Sequence, residues 1–290
     1  MTDDRPTDPS PRKPRVALMG EFSAGKSTLA NLLLGQNSSP VQVTATQLPP
    51  VWYQLGTPGA QRIGLDGAAT PLPAEDWTAV SPEDTQMILA RLDADILQAC
   101  DLIDLPGTSD PNMAPDFWDT FLPKVDLAIW CTPANQAWRQ SEAALWEQVP
   151  PQLWTKSLLL ITRIDKMQGE RDRARVVARV RAEAGALFRD VLPISLTGAL
   201  AGRDNDDVLE TTGAAALVRF LCHALEGLDP PAPVETPRAA ATVTPVHQNP
   251  PPSPAAGADI DTGTEPRIVP RRITRSKSQG ARSRPEHRTA

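Results

Sequence analysis

The chain has 290 residues, 31 of them proline, and a formal net charge of −6 from 29 basic and 35 acidic side chains. The charge is unevenly placed: residues 267–290 hold Arg267, Arg271, Arg272, Arg275, Lys277, Arg282, Arg284 and Arg288 against Glu286 alone, so that end carries +7 and the remainder −13. An acidic body speaks against nucleic acid as a partner, whereas a short basic end can seek phosphate, an anionic membrane or an acidic protein surface.

In chain order, the apolar run Arg15 to Met19 predicts a strand that ends in a Gly-rich loop, and Lys26 to Leu34 then predicts a helix stopped by Gly35. Val51 to Leu55 reads as a strand, with Gln61 to Leu65 returning beside it as a hairpin. Ser81-Pro82-Glu83-Asp84 offers an N-cap, a first-turn proline and acidic first-turn groups, and Met87, Ile88, Leu92 and Ile96 follow at helical spacing. A helix is therefore expected to run to about Ala99. Strand-like runs at Leu102–Asp104, Val125–Cys131, Ser157–Thr162 and Val191–Ser195 then alternate with helical patterns. That alternation predicts an α/β fold with a mainly parallel sheet, helices on both faces and one antiparallel hairpin or edge.

The last stretch differs. Residues 229–290 hold twelve of the prolines and no Trp, Phe or Tyr, too little apolar surface to offset the entropy of ordering. Composition thus predicts a disordered N-terminal segment over 1–14, one folded domain over 15–228, and a Pro-rich, then basic, disordered tail over 229–290. Cys100, Cys131 and Cys222 have no CxxC spacing and read as reduced core thiols. No apolar run approaches the roughly 18 residues of a membrane span, and the first residues lack a signal-peptide core. The expected location is cytoplasmic, at most peripheral at the inner membrane.

Four motifs carry chemistry. Gly20-Glu21-Phe22-Ser23-Ala24-Gly25-Lys26-Ser27 is a GxxxxGK[ST] loop between strand and helix. Its backbone N–H groups, through Thr28 at the helix start, suit a phosphate chain; Lys26 reaches the β and γ phosphates, and Ser27 ligates Mg²⁺. Asp104-Leu105-Pro106-Gly107 follows a core strand, where the Asp104 carboxylate holds a Mg²⁺ water and the Gly107 amide faces a γ-phosphate. Thr162-Arg163-Ile164-Asp165 fits an [NT]KxD pattern with Arg for Lys. The Asp165 carboxylate can accept two hydrogen bonds from the N1–H and exocyclic amine of guanine, which adenine does not supply, and the flat Arg163 guanidinium can lie over a base. Ser195, after the last strand, either contacts the base through its backbone or positions Asp165.

In this order the motifs resemble those of P-loop GTPases, and GEFSAGKSTLANLLLG is similar to the opening of bacterial dynamin-like GTPases. The resemblance covers residues 15–228. Thr46-Gln47-Leu48-Pro49 resembles the family's switch threonine, and by that resemblance Thr46 ligates Mg²⁺ and senses the γ-phosphate, with Thr44 as its competitor. The 58 residues from Thr46 to Asp104 exceed what a compact small GTPase needs. The resemblance implies GTP and GDP as ligands, Mg²⁺ as cofactor, and a nucleotide-dependent homodimer or a larger dynamin-like protein as partner. It also implies catalytic roles for Lys26, for Thr46 and for Ser23, which matches a serine that neutralises transition-state charge. Two positions depart from it: Phe22 stands where dynamins have Gln, and Thr108 where Ras-like enzymes have the water-orienting Gln. Slow hydrolysis is expected, with an Era-like RNA-associated GTPase and a nucleotide-binding pseudo-GTPase scaffold as alternatives. No stalk is expected within 290 residues, so the basic tail is assigned weak, salt-sensitive contact with anionic membrane or with a partner.

Overall fold

A computed structural model of the chain describes residues 12–35, 48–73, 77, 80–107 and 117–228. Nine strands form one sheet: β1 Arg15–Gly20, β2 Val51–Leu55, β3 Gly59–Gly64, β4 Ala69–Leu72, β5 Thr85–Leu92, β6 Asp101–Asp104, β7 Leu127–Pro133, β8 Leu158–Thr162 and β9 Asp190–Pro193. Their spatial order is β4-β3-β5-β2-β6-β1-β7-β8-β9. The half from β6 through β1, β7 and β8 to β9 is parallel throughout, while β2 runs antiparallel to β6, and β3 runs antiparallel to both β4 and β5.

The helices are α1 Lys26–Leu34, α2 Ile96–Ala99, α3 Phe117–Phe121, α4 Gln140–Trp146, α5 Pro151–Trp154, α6 Glu170–Ala184, α7 Leu196–Ala201, α8 Asp206–Thr212 and α9 Ala214–Glu226. β1 is buried along its whole length, and its alternating side chains feed two apolar layers. Val16 and Leu18 join Leu29 of α1, Leu97 of α2 and Leu217 and Leu221 of α9. Ala17 and Met19 join Trp130, Trp146 of α4, and Val180 and Ala184 of α6. A sheet covered on both faces explains why its central strands read as continuous apolar runs.

Two expectations for strands and helices are corrected. The helix expected from Ser81 to Ala99 is instead strand β5 followed by the single-turn α2. Ile88 and Ala90 face one apolar layer and Met87 and Leu89 the other. An apolar run buried on both faces satisfies helical spacing as readily as strand spacing. The cap-like Ser81 serves a turn, its Oγ accepting the Glu83 N–H at 3.2 Å. The second correction concerns β2 and β3, which both exist but do not form a hairpin, because β5 lies between them. The more polar β3 and β4 take the sheet edge and pair with each other, leaving β5, with its apolar run Met87–Ala90, an interior place.

Trp130, Trp138, Trp146 and Phe188 pack together in one of the two apolar layers. Trp130 meets Trp138 and Trp146 edge-on with ring centroids 6.4 and 5.6 Å apart, and Phe188 stacks on Trp146 at 4.3 Å. Arg171, Arg175 and Arg179 lie on the exposed face of α6, Arg175 and Arg179 bridging Asp172 and Glu183. Among the described residues no single helix is long and apolar enough to cross a membrane.

Burial pushes the Cys100 and Cys131 thiols up to about 12, while Cys222, expected in the core, is instead exposed on α9. At about pH 8 an aromatic disulfide reagent is therefore expected to titrate Cys222 alone in the native chain and all three thiols after denaturation. Rapid labelling of Cys100 or Cys131 in the native chain would contradict their place in the core.

Candidate functional site

The parallel half of the sheet delivers its motifs to one edge. Register pairs Leu18 with Asp104, Gly20 with Cys131, Pro133 with Thr162, and Ile161 with Pro193. The loops after β1, β6, β7, β8 and β9 therefore emerge side by side at the strands' carboxyl ends, where ligands of such sheets bind.

β1 turns into the phosphate loop at Gly20, whose φ of 132° is open to glycine and where a β-carbon would overlap the Cys131 carbonyl. Lys26 then folds back across the loop and is only 8% exposed. Its Nζ donates to the Gly20 and Glu21 carbonyls, both at 3.0 Å. Burial lowers its pKa, opposed by the Asp104 charge. An ammonium has three donors, and these two carbonyls leave one for a ligand. Gly107 lies against the loop from the other side: a β-carbon there would stand 2.8 Å from the Phe22 nitrogen. Phe22 itself is 55% exposed.

Ser27 Oγ donates to Asp104 Oδ2 at 3.1 Å. The other oxygen, Oδ1, is buried without a hydrogen-bond partner. Burial pushes the Asp104 carboxyl up to about 6, against the pull of Lys26 and the Ser27 hydroxyl. An orphaned carboxylate oxygen beside a hydroxyl is a hard-oxygen donor set, which fits Mg²⁺, an ion that takes one or two protein oxygens and completes its shell with water and phosphate. Ser27 and Asp104 are the described residues that would hold it. Thr44, Thr46 and Thr108 lie outside the described residues.

Three further expected residues make contacts that the sequence does not show. Thr162 is fully buried, and its hydroxyl donates to the Ala24 carbonyl at 2.7 Å, so it braces the phosphate loop from beneath. Arg163 adopts a left-handed backbone with φ 56° and donates from Nη2 to the Ser23 carbonyl at 2.6 Å. It ties the two motifs together. Ser195 has its N–H on the Thr212 carbonyl at 2.9 Å and its carbonyl on the Ala199 N–H at 2.9 Å, and its hydroxyl accepts the Gly198 N–H at 3.3 Å. Those commitments make it the cap of α7 and leave its backbone no donor for a base. Asp165 stays at the site mouth with its side chain 31% exposed and Lys166 3.7 Å away.

The loop after β7 adds a network that the sequence reading missed. Glu142 of α4 is completely buried. Its Oε1 accepts the Trp130 Nε1–H at 3.0 Å, and its Oε2 accepts the Thr132 hydroxyl and the Arg139 N–H, each at 3.0 Å. Thr132 Oγ1 in turn accepts the Trp138 N–H at 2.9 Å. From that anchored turn, Arg139 pairs with Glu21 of the phosphate loop, and Ser141 Oγ donates to Glu21 Oε1 at 2.9 Å. The available signal was an acid three residues into a helix, reaching back to the N-cap amide.

No family model and no curated protein matches the chain. Among solved structures it is similar to two of an oligomerised bacterial dynamin pair, described as providing a mechanism for long-range sensing and tethering of membranes. These share 21% and 20% identity with it at a TM-score of 0.54, over 75% of this chain and 35% and 34% of theirs. LeoA, a bacterial dynamin GTPase from ETEC, aligns with 74% of this chain and 36% of its own at 12% identity and a TM-score of 0.46. By its likeness to the dynamin pair, the fold is that of the P-loop GTPase class. Within that class it is the fold of a dynamin-like GTPase domain, and the chain spans about a third of the length of the dynamins it matches.

Glu142→Ala would leave the Trp130 indole, the Thr132 hydroxyl and the Arg139 amide without an acceptor. At about 1–3 kcal/mol for each buried donor left unpaired, a loss of about 3 kcal/mol or more is expected in urea unfolding. Glu142→Gln keeps an amide oxygen for the indole and is expected to lose less. Equal stability of all three chains would refute the anchor.

Proposed function

We propose that the chain is a guanine-nucleotide-binding switch protein that takes GTP and GDP with Mg²⁺ and hydrolyses GTP slowly, its site completed by a second copy or by a larger dynamin-like partner. The observation that carries this reading is the meeting, at one sheet edge, of a buried lysine with a donor to spare, a hydroxyl–carboxylate pair with one orphaned oxygen, and an Asp165 loop bonded into the phosphate loop. Lys26 would bind the phosphate chain, with the backbone amides from Gly20 to Thr28 around it. Ser27 and Asp104 would hold Mg²⁺, with Thr46 as the expected third oxygen; the ion supplies charge neutralisation at the transferring phosphoryl group when bound. Asp165 would accept the base's N1–H and exocyclic amine. Arg163 and Thr162 hold the loop in position, and Ser23 is assigned the neutralising role in the transition state. Phe22 offers no polar group to orient water, which supports slow turnover and assistance from outside the chain.

Calorimetry with Mg²⁺ tests this. GTP and GDP are expected to bind and ATP to compete poorly; Lys26→Ala should abolish binding, and Asp165→Asn should shift preference from guanine toward xanthine. Tight ATP binding without GTP competition would sink the reading. A hydrolysis rate per molecule that rises with protein concentration supports assistance by a second copy, whereas single-turnover hydrolysis no faster than free GTP moves the assignment to a nucleotide-binding scaffold.

For location we propose a cytoplasmic protein drawn to anionic membrane by its basic end. Each Lys or Arg near an anionic leaflet contributes about 1 kcal/mol, residues 267–290 carry +7, and no Trp or Phe there would insert into lipid. Co-sedimentation with phosphatidylserine vesicles is expected to be lost at high salt and on deleting residues 267–290. Binding that survives either change contradicts it, and binding to RNA in place of vesicles would favour a ribosome-associated role.

A further inference from the structure

The second residue of the phosphate loop is an acid. Glu21 lends its carbonyl to Lys26 Nζ, and its carboxylate, with the side chain only 12% exposed, pairs with Arg139 and accepts the Ser141 hydroxyl. A carboxylate this close to a phosphate cradle opposes a polyphosphate, and little water reaches it to screen that charge. The Arg139 side chain, 44% exposed, meets it from the opposite wall.

Arg139 is aimed from a fixed base. Its own N–H is bound by the buried Glu142, and the preceding Trp138, at φ 57°, has its N–H on Thr132 Oγ1. The turn after β7 is therefore fastened to the core on one side and to the phosphate loop on the other. Arg163 grips the same loop two residues on, at the Ser23 carbonyl, but as a donor to a neutral carbonyl. The Arg139 contact is the one in which two opposite charges meet.

We propose that Arg139 is a positioning residue that cancels the Glu21 charge at the mouth of the phosphate site, and so sets how strongly the site favours a triphosphate over a diphosphate. This rests on the nucleotide-binding reading above. With Mg²⁺ on each, the triphosphate still carries one more negative charge than the diphosphate and feels an uncompensated carboxylate more. Arg139→Gln should therefore weaken Mg²⁺·GTP about tenfold and Mg²⁺·GDP only about threefold, in the range of a partly buried ion pair. Low salt should widen the gap. Arg139→Lys keeps the charge and should stay near wild type in the GTP-to-GDP ratio. Glu21→Gln combined with Arg139→Gln removes both charges and should restore that ratio.

The test is calorimetric titration of the full-length wild type and these three variants with GTP and GDP at two salt concentrations, with thermal unfolding in parallel. A lowered GTP-to-GDP ratio in Arg139→Gln that returns in the double variant supports the proposal. Equal losses for both nucleotides, no loss at all, or a double variant no better than the single one overturns it and leaves the contact merely structural. Should the wild type bind neither nucleotide, the functional reading fails by itself. The same four chains titrated with inorganic tripolyphosphate and pyrophosphate then decide the charge balance separately, a ratio unmoved by Arg139→Gln counting against it.

Discussion

A lysine ammonium nearly closed off from water is the constraint on which the rest of the site is built. Lys26 is charged, buried, and close to Asp104 without a direct bond to it. Taking such a group out of water costs several kcal/mol unless donors and charge are matched. The loop meets that cost by turning the Gly20 and Glu21 carbonyls inward onto Nζ. Two carbonyls can point inward only if the chain turns sharply where β1 ends, and Gly20 permits this because it carries no β-carbon to strike Cys131. The glycine of the motif and its lysine are thus two ends of one requirement, local in sequence and for that reason visible there.

A loop whose carbonyls face inward has few bonds of its own, and the surrounding strands supply them. Thr162 from β8 takes the Ala24 carbonyl, Arg163 takes the Ser23 carbonyl, and Arg139 and Ser141 after β7 take the Glu21 carboxylate. Gly107 after β6 packs on Phe22. The cradle is therefore held by the loops of three neighbouring strands, and the parallel register that sets these loops side by side is what turns a short motif into a rigid site. Preorganisation of this kind lowers the ordering cost of binding.

Legibility in the sequence followed the range of the interaction. The phosphate loop, Asp104 with Gly107, and the Thr162–Asp165 segment could be located because each motif is a short run whose spacing is dictated by local geometry, and the parallel half of the sheet follows from their alternation with helices. The insertion between β2 and β6 was misread: Met87, Ile88, Leu89 and Ala90 are apolar because two layers cover them, and no period distinguishes that from a helix. Residue types also left roles open. An arginine at 163 is suited to a base or to a carbonyl, and only its left-handed backbone aims it at Ser23. Glu142, Arg139 and Glu21 were missed because most of their partners lie 10 to 120 positions away in the chain, and the one near contact, Glu142 on the Arg139 N–H, is ordinary at a helix start.

The balance of charge at the site follows from these contacts. Around the phosphate cradle, Lys26 faces Asp104, and Arg139 faces Glu21, so two of the fixed cations have an anion beside them, while Arg163 spends its charge on the Ser23 carbonyl. Such a site gains its preference for anions from oriented amides and from the single unspent donor of Lys26, more than from surplus positive charge. On the proposed reading, the orphaned Asp104 oxygen would take a divalent cation together with the anion, because either alone would upset the balance that the other restores. Binding the two as a unit would then let an acidic body, −13 outside the basic end, carry a phosphate loop.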